Sequence, residues 1–190
     1  MQARTLTALI FLLAAALLAP AAIADAKPAD RATVAQATCA DADLEPAPGN
    51  LPRIRRAILC LHNQVRDAAG LPDLRENAKL RKAAFGHSRR MVQAGFFEHT
   101  TPTGVTMVDR ILRAAYVRED QGWSLGENLA WGTGSLGTPR GAVQSWLDSP
   151  GHRANILRRS YRELGVGVVI GVPVSDATGA TYTVDFGVRR

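Results

Sequence analysis

Trp146-Leu147-Asp148-Ser149-Pro150-Gly151-His152-Arg153-Ala154-Asn155-Ile156-Leu157 is the stretch from which the fold is read. Trp146 and Leu147 end a helix that Thr138 caps and Pro139 opens, with Ala142 and Val143 on the same inward face. Pro150 and Gly151 stop that helix, so His152 is expected where the backbone has just left it, free of the core. A histidine presented in this way is placed for chemistry. Two other stretches offer it partners, Phe96-Phe97-Glu98-His99-Thr100 and Gly126-Glu127-Asn128-Leu129-Ala130. His99 lies in a loop closed by Pro102 and Gly104, anchored by Phe96 and Phe97 while its own ring stays accessible. Glu127 interrupts an apolar strand running from Trp123 to Trp131. A carboxylate there needs a partner, either a cationic or metal-bound imidazole or an arginine or backbone amides. No single element carries His99, Glu127 and His152, so the fold must bring them together.

The remaining elements follow from periodicity. Ile54, Ala57, Ile58, Leu61, Val65 and Ala68 recur at helical spacing until Gly70 and Pro72. Asn77 caps a second helix with Leu80, Ala84, His87 and Met91 in one stripe and Gly95 as terminator, so His87 faces the core or the edge of a cleft. Thr106 and Asp109 form a capping box for a third helix with Val108, Ile111, Leu112 and Ala115 on one face. Two alternating strands, around Leu164 to Ile170 and Thr181 to Val188, predict a hairpin turning through Ser175 to Gly179. Gly132-Thr133-Gly134-Ser135-Leu136-Gly137 matches the dinucleotide-binding fingerprint in letters only. The strand-helix-strand unit with an acid about 20 positions on is missing, which leaves a turn-forming loop.

The 190 residues divide unevenly. Residues 1–24 read as an export signal, with Arg4 at the start, an apolar run from Leu9 to Leu18 too short to span a membrane, and an Ala22-Ile23-Ala24 cleavage site. No integral membrane segment is expected after its removal. Residues 25–52, rich in Ala, Asp and Pro, read as a flexible N-terminal segment anchored by Cys39 alone, and residues 53–190 as one domain. Cys39 and Cys60 are the only cysteines, and in an exported chain they are expected to pair with each other. Lys and Arg exceed Asp and Glu by six. That excess favours anionic partners, but the pairs Arg55-Arg56, Arg89-Arg90 and Arg158-Arg159 are scattered and lack interleaved aromatics, which argues against a nucleic-acid groove.

The ordered set Leu59-x-x-x-Asn63-x-x-Arg66, Ala84-x-x-His87-Ser88, Phe97-x-His99, Gly126-Glu127-Asn128-Leu129-Ala130, Trp146-x-x-Ser149-x-Gly151-His152-Arg153-x-Asn155-Ile156-Leu157 and Leu164-Gly165-Val166-Gly167 resembles the CAP superfamily. That superfamily comprises cysteine-rich secretory proteins, antigen 5 and pathogenesis-related-1 proteins, and the resemblance is to its bacterial SCP-like extracellular branch. It implies an α+β fold, a three-layer α-β-α sandwich with a small, three-stranded antiparallel sheet between helical layers. It also implies a cleft of two histidines and two acids, the histidines binding a divalent metal in some members. His99, Glu127 and His152 match three of the four as putative cleft or catalytic residues, with His99 and His152 as the metal ligands. The fourth position falls near Ser149, beside Asp148.

Three functions are weighed on this basis. The first is a secreted, monomeric binding domain for a lipid, glycan or other cell-envelope component, with Zn²⁺ or another divalent cation weakly bound. The second is a metal-dependent hydrolase acting on peptide or cell-wall bonds with Glu127 as general base. Two histidines fall short of the three protein ligands usual for catalytic zinc, and Ser145 and Ser149 lack the Gly-x-Ser-x-Gly setting of a nucleophile. The third is a structural cell-wall-associated protein, for which only export and positive charge speak.

Overall fold

The computed structural model describes residues 39–190, so the expected signal and the first part of the N-terminal segment lie outside the described residues. The first helix, α1 (Leu51–Ala68), starts with Pro52 in its opening turn and buries Ile54, Ala57, Ile58, Leu61 and Val65; Ala68 is exposed. It starts two residues before the expected domain boundary at Arg53. Residues 39–50 also have more than one anchor. Besides the Cys39–Cys60 disulfide, Ala42 is buried, its carbonyl accepts from the Arg140 backbone N–H at 2.8 Å, and Asp43 accepts from Arg140 Nε at 2.7 Å. This part of the segment expected to be flexible packs on the domain, because Ala42 and Leu44 join the core and Arg140 holds both the Ala42 carbonyl and the Asp43 side chain. The disulfide spans 21 residues, a closure that contributes on the order of 3 kcal/mol.

A two-residue strand, β1 (Arg75–Glu76), precedes α2 (Ala78–Ala94). The Asn77 side chain accepts from the backbone N–H groups of Lys79 and Leu80, and Gly95 ends α2 at φ 65°. The Thr106–Asp109 capping box opens α3 (Met107–Arg113). The buried face of α3 is Arg110 and Ile111, continued by Ala114; Val108 and Leu112 are half-buried and Ala115 is exposed at φ 57°. The expected stripe is thus rotated by about one position, because the helix ends early and an arginine takes an inward place. Next come β2 (Trp123–Gly132), a 3₁₀ turn at Gly134–Gly137 where the fingerprint look-alike lies, and α4 (Pro139–Asp148). The chain does not leave helix at Pro150. Ser149 is a one-residue break, and α5 (Pro150–Ile156) follows with Pro150 in its first turn, so His152 is helical. Proline lacks the N–H that an opening turn does not need, so it starts a helix as readily as it stops one.

The sheet has the order β1-β3-β4-β2. β3 (Glu163–Val172) and β4 (Ser175–Arg189) pair antiparallel, as do β4 and β2, while β1 adds a short parallel edge beside β3. The hairpin is tighter than its sequence implies: Val172 pairs with Ser175, and residues 175–179 belong to β4. Four strands therefore replace the expected three antiparallel ones. One face of the sheet carries Leu164, Val166, Val168, Tyr182, Val184 and Phe186 into a core with Ile54, Ile58, Leu61, Trp146 and Ile156 from α1, α4 and α5. The other face packs against α2, which shares a second cluster with α3 through Leu80, Ala83, Ile111 and Ala114. The result is the α-β-α sandwich.

Two features of this packing position the elements around Glu127 and His152. Arg66 on α1 is fully buried and donates to the carbonyls of Ile156 (2.8 Å), Arg158 (3.1 Å), Tyr161 (3.3 Å) and Pro72 (2.9 Å). It thereby satisfies carbonyls at and just beyond the end of α5, the helix bearing His152. On the other face, a Cβ at Gly165 would collide with the backbone of Leu80 and Arg81, and one at Gly167 with the backbone of Ala84 and Phe85. Only bare strand lets α2 sit this close. Gly165→Ala is therefore expected to lower stability by about 2 kcal/mol or more, because rigid backbone on both sides must move. Urea unfolding measures it, and a loss below about 0.5 kcal/mol would show that α2 is not seated as described.

Candidate functional site

The site lies at the free edge of β2, where loop 95–106 approaches from one side of the sheet and α5 from the other. On the first side, Phe96 and Phe97 are half-buried and hold the loop, leaving the His99 side chain 56% exposed. His99 Nδ1 donates to Glu127 Oε1 at 2.8 Å. Glu127 sits on β2 with its side chain 2% exposed, and Arg110 from α3 holds its other oxygen through Nη2. Arg110 Nη1 also donates to the His99 carbonyl at 2.9 Å, so one guanidinium fixes both the acid and the loop. On the second side, Asn155 Nδ2 donates to the Glu127 carbonyl (3.2 Å) and to Asn128 Oδ1 (2.9 Å), and Asn128 Nδ2 donates to the His152 carbonyl at 3.0 Å. Adjacent β2 residues thus reach opposite helical layers, as alternation along a strand requires.

The electrostatics follow from these contacts. Burial pushes the Glu127 carboxyl upward, but the His99 hydrogen bond and the charges of Arg110 and His87 together outweigh it and hold the group below the usual carboxylate range. The Glu127 hydrogen bond raises His99 above its ordinary value despite partial burial, so the imidazolium is favoured. His152 is shifted down, first by burial and then by the charge of His99. Its ring makes no hydrogen bond among the described residues. His87 lies behind the loop, fully buried; Nε2 donates to the Glu98 carbonyl at 2.9 Å, and burial is the main cause of its lowered pKa. It supports the loop from within, the core-facing alternative left open by its place in the α2 stripe.

The structure thus joins His99 directly to Glu127 and brings His152 close enough to feel the His99 charge. Asp148 does not join them; it is exposed and accepts from Gln144. Ser149 makes no side-chain hydrogen bond among the described residues. Two members of the site escape a reading of the sequence. Arg110 is hidden inside a short helix, although a buried acid on β2 calls for a cation. Asp185 lies opposite Glu127 in the β2–β4 register, fully buried, with neither carboxyl oxygen hydrogen-bonded to a donor. Burial, then the neighbouring Glu127 charge, drives its pKa well above the ordinary value, so Asp185 is held as a neutral acid facing Glu127. Its alternation with Tyr182, Val184 and Phe186 suggests a solvated face. In a strand covered by helices on both sides, that face is buried as well.

Residues 59–185 match the model of the cysteine-rich secretory protein family, CAP. The chain belongs to this family. Similar proteins include the Bacillus subtilis (strain 168) protein YkwD, 31% identical over 123 residues, which make up 65% of this chain and 45% of YkwD. A second is the Bacillus subtilis membrane protein YlbC, 36% identical over 113 residues, 60% of this chain and 31% of YlbC. The chain spans less than half the length of these curated relatives. Among solved structures, an extracellular SCP-domain protein from Bacillus anthracis str. Ames is similar with TM-score 0.58 and 32% identity, covering 74% of this chain and 43% of that one. An outer surface protein from Borrelia burgdorferi shares the fold with TM-score 0.59 and 21% identity, covering 76% of this chain and 96% of that one. The chain is therefore a CAP domain of the bacterial SCP type. No helix among the described residues is long and apolar enough to cross a membrane.

Proposed function

We propose that the chain is an exported binding module whose cleft takes an acidic glycan of the cell envelope, and that it does not hydrolyse its ligand. The observation that carries this reading is the state of Glu127. Both of its oxygens are engaged, by His99 and Arg110, and its side chain is almost fully buried. Glu127 is therefore not free to take a proton from a bound water, whereas the exposed edge of the His99 imidazolium is a charged donor for a carboxylate or hydroxyl. Trp131 lies on the same face of β2 as Glu127, four residues on or about 13 Å along the strand, and is 41% exposed. An exposed indole at that distance from a charged donor suits an oligosaccharide that stacks one ring on Trp131 and presents an acidic group from another ring to His99.

Zn²⁺ or a similar cation at His99 and His152 is the second reading, supported by the unbonded ring of His152. The donor set fits weak binding only. Glu127 already occupies His99 Nδ1, and among the described residues no group of three or more His, Cys, Asp or Glu side chains is arranged to hold a metal ion. A cation there would supply positive charge for the same acidic ligand. The two readings have opposite pH signs. Binding to the imidazolium is lost as pH rises through the raised His99 pKa, whereas metal binding needs neutral imidazoles and improves as pH rises.

The test is a tryptophan-fluorescence titration with uronic-acid oligosaccharides and their neutral counterparts at pH 6 and pH 8, with chelator and then with added Zn²⁺. Saturable binding of the acidic series at pH 6, weakened at pH 8 and reduced about tenfold or more by His99→Ala or Trp131→Ala, is expected. Equal binding of the neutral series, or indifference to both substitutions, would sink the glycan reading. Calorimetric Zn²⁺ titration of His99→Ala, His152→Ala and His87→Ala decides the metal question. Loss in the first two alone supports the ion pair of ligands, and wild-type binding in all three removes it.

A further inference from the structure

A second concave site lies on the α2–α3 side of the molecule, with no part in the Glu127 cleft except one shared residue. It is an open cavity of about 280 Å³ between α2, loop 101–105 and α3. Lys82, Arg89 and Arg90 from α2 and Arg113 from α3 line it, and no acidic residue does. Lys82, Arg90 and Arg113 have no hydrogen bond or ion pair among the described residues, and Arg89 lies over the Phe85 ring. Of the nearby carboxylates, Asp109 caps α3 through Thr106 and offsets part of the Arg113 and Arg110 charge, and Glu127 is bound by His99 and Arg110. Four like charges around one hollow repel one another unless an anion joins them.

Two further features shape the cavity. Arg110 also lines the cavity, is about nine-tenths buried, and has an Nε–H with no acceptor. That atom is shielded from solvent and the Arg110 charge is paired with Glu127, so Arg110 forms a wall of the cavity, and an anion there would lie against its flank. Gly86 lies in the interior of α2 and lines the cavity too, yet a Cβ built there meets nothing within 4 Å. Glycine is poor in a helix interior, and neither packing nor backbone conformation demands it here. Its effect is to keep the cavity floor open.

We infer that this cavity is a binding site for a phosphoryl group, with Lys82, Arg89, Arg90 and Arg113 around the anion, Arg110 against it and Gly86 beneath. Phosphate suits the site because a compact, multiply charged oxyanion can engage several guanidinium forks together. Arg110 also holds Glu127, so an occupant would touch the residue that orders the His99 cleft without entering it.

The test uses the chain without its leader and two forms of the probe, inorganic phosphate and pyrophosphate by calorimetry, and phosphatidylcholine vesicles with or without phosphatidic acid by co-sedimentation. Wild type is expected to bind saturably, and Arg90→Gln/Arg113→Gln to bind about tenfold more weakly or worse. Gly86→Leu is expected to abolish binding while retaining the circular dichroism and unfolding midpoint of a folded domain. Arg56→Gln/Arg159→Gln removes the same charge far from the cavity and is expected to bind as wild type, as is His99→Ala. Binding to the free anions identifies a soluble phosphorylated ligand; binding to phosphatidic acid vesicles alone, with the same variant pattern, identifies a lipid headgroup. The proposal is overturned if nothing binds, if Gly86→Leu binds normally, if the remote double variant loses as much as the cavity variant, or if His99→Ala abolishes binding.

Discussion

Arg110→Met is expected to cost about 3–5 kcal/mol of folding stability, because it leaves Glu127 buried with its charge half-compensated beside a second carboxyl. The loss should not stop at the ion pair. Arg110 Nη1 donates to the carbonyls of His99 and Val105 as well, so loop 95–106 loses two of its fixings with the same substitution. Urea unfolding at pH 7 measures the cost, and a loss under about 1 kcal/mol would mean that the pair is spectator to the fold. The informative partner is Arg110→Met/Glu127→Gln. Removing the orphaned charge should recover part of the loss, and the double-mutant cycle then isolates the coupling from the damage to the loop.

The second large effect is on acid stability and belongs to His62. This residue is fully buried in α1, 5.6 Å from the ring centres of both Trp146 and Phe186. Its Nδ1–H donates to the Ile58 carbonyl at 2.7 Å, and Nε2 has no partner. Burial, with a smaller contribution from the Arg66 charge, lowers its pKa to about 4, against an ordinary value of 6.5. Between these values the unfolded chain binds a proton that the folded chain refuses. The stability that this residue contributes above pH 6.5 is therefore lost as pH falls towards 4, by about 3 kcal/mol over the window. Asp185, raised rather than lowered, acts in the opposite direction in acid, and His99 has the opposite sign to His62. The quantity to measure is thus the difference between wild type and His62→Phe in urea unfolding from pH 4 to pH 7. Parallel pH profiles for the two proteins would show that His62 is not the acid-sensitive group.

Much of the architecture is legible because local rules act alone. Asn77, Thr106, Thr138 and Gly95 mark helix ends through short-range chemistry, and each does in the structure what its type and place imply. The cleft residues His99, Glu127 and His152 are readable as chemistry-bearing side chains outside the periodic core. Legibility fails where two long-range contexts compete. Pro150 stops one helix and starts another, and the choice depends on whether later residues can continue in helix. Asp185 alternates correctly for a strand with one wet face, but strand order decides that this face is covered by α2. Arg110 breaks a short apolar pattern, and only its distant partner Glu127 explains why. Residues 39–50 lack periodicity, yet Arg140, 97 positions beyond Asp43, fixes their backbone.

Asn155 has a consequence for the protein as a surface among other proteins. Among the described residues β2 is the outer strand of the sheet, with a side that no further strand covers. Such an edge is a template on which another chain can add itself through backbone pairing. At Glu127 that template is interrupted: the Asn155 amide occupies the outward carbonyl, and the Tyr161 and Asn155 side chains crowd the space above Gly126. Asn155 and Tyr161, which pack beside Glu127, therefore also guard the sheet against copies of itself. Substitutions that loosen α5 would open the middle of this edge to self-association even where the domain stays folded.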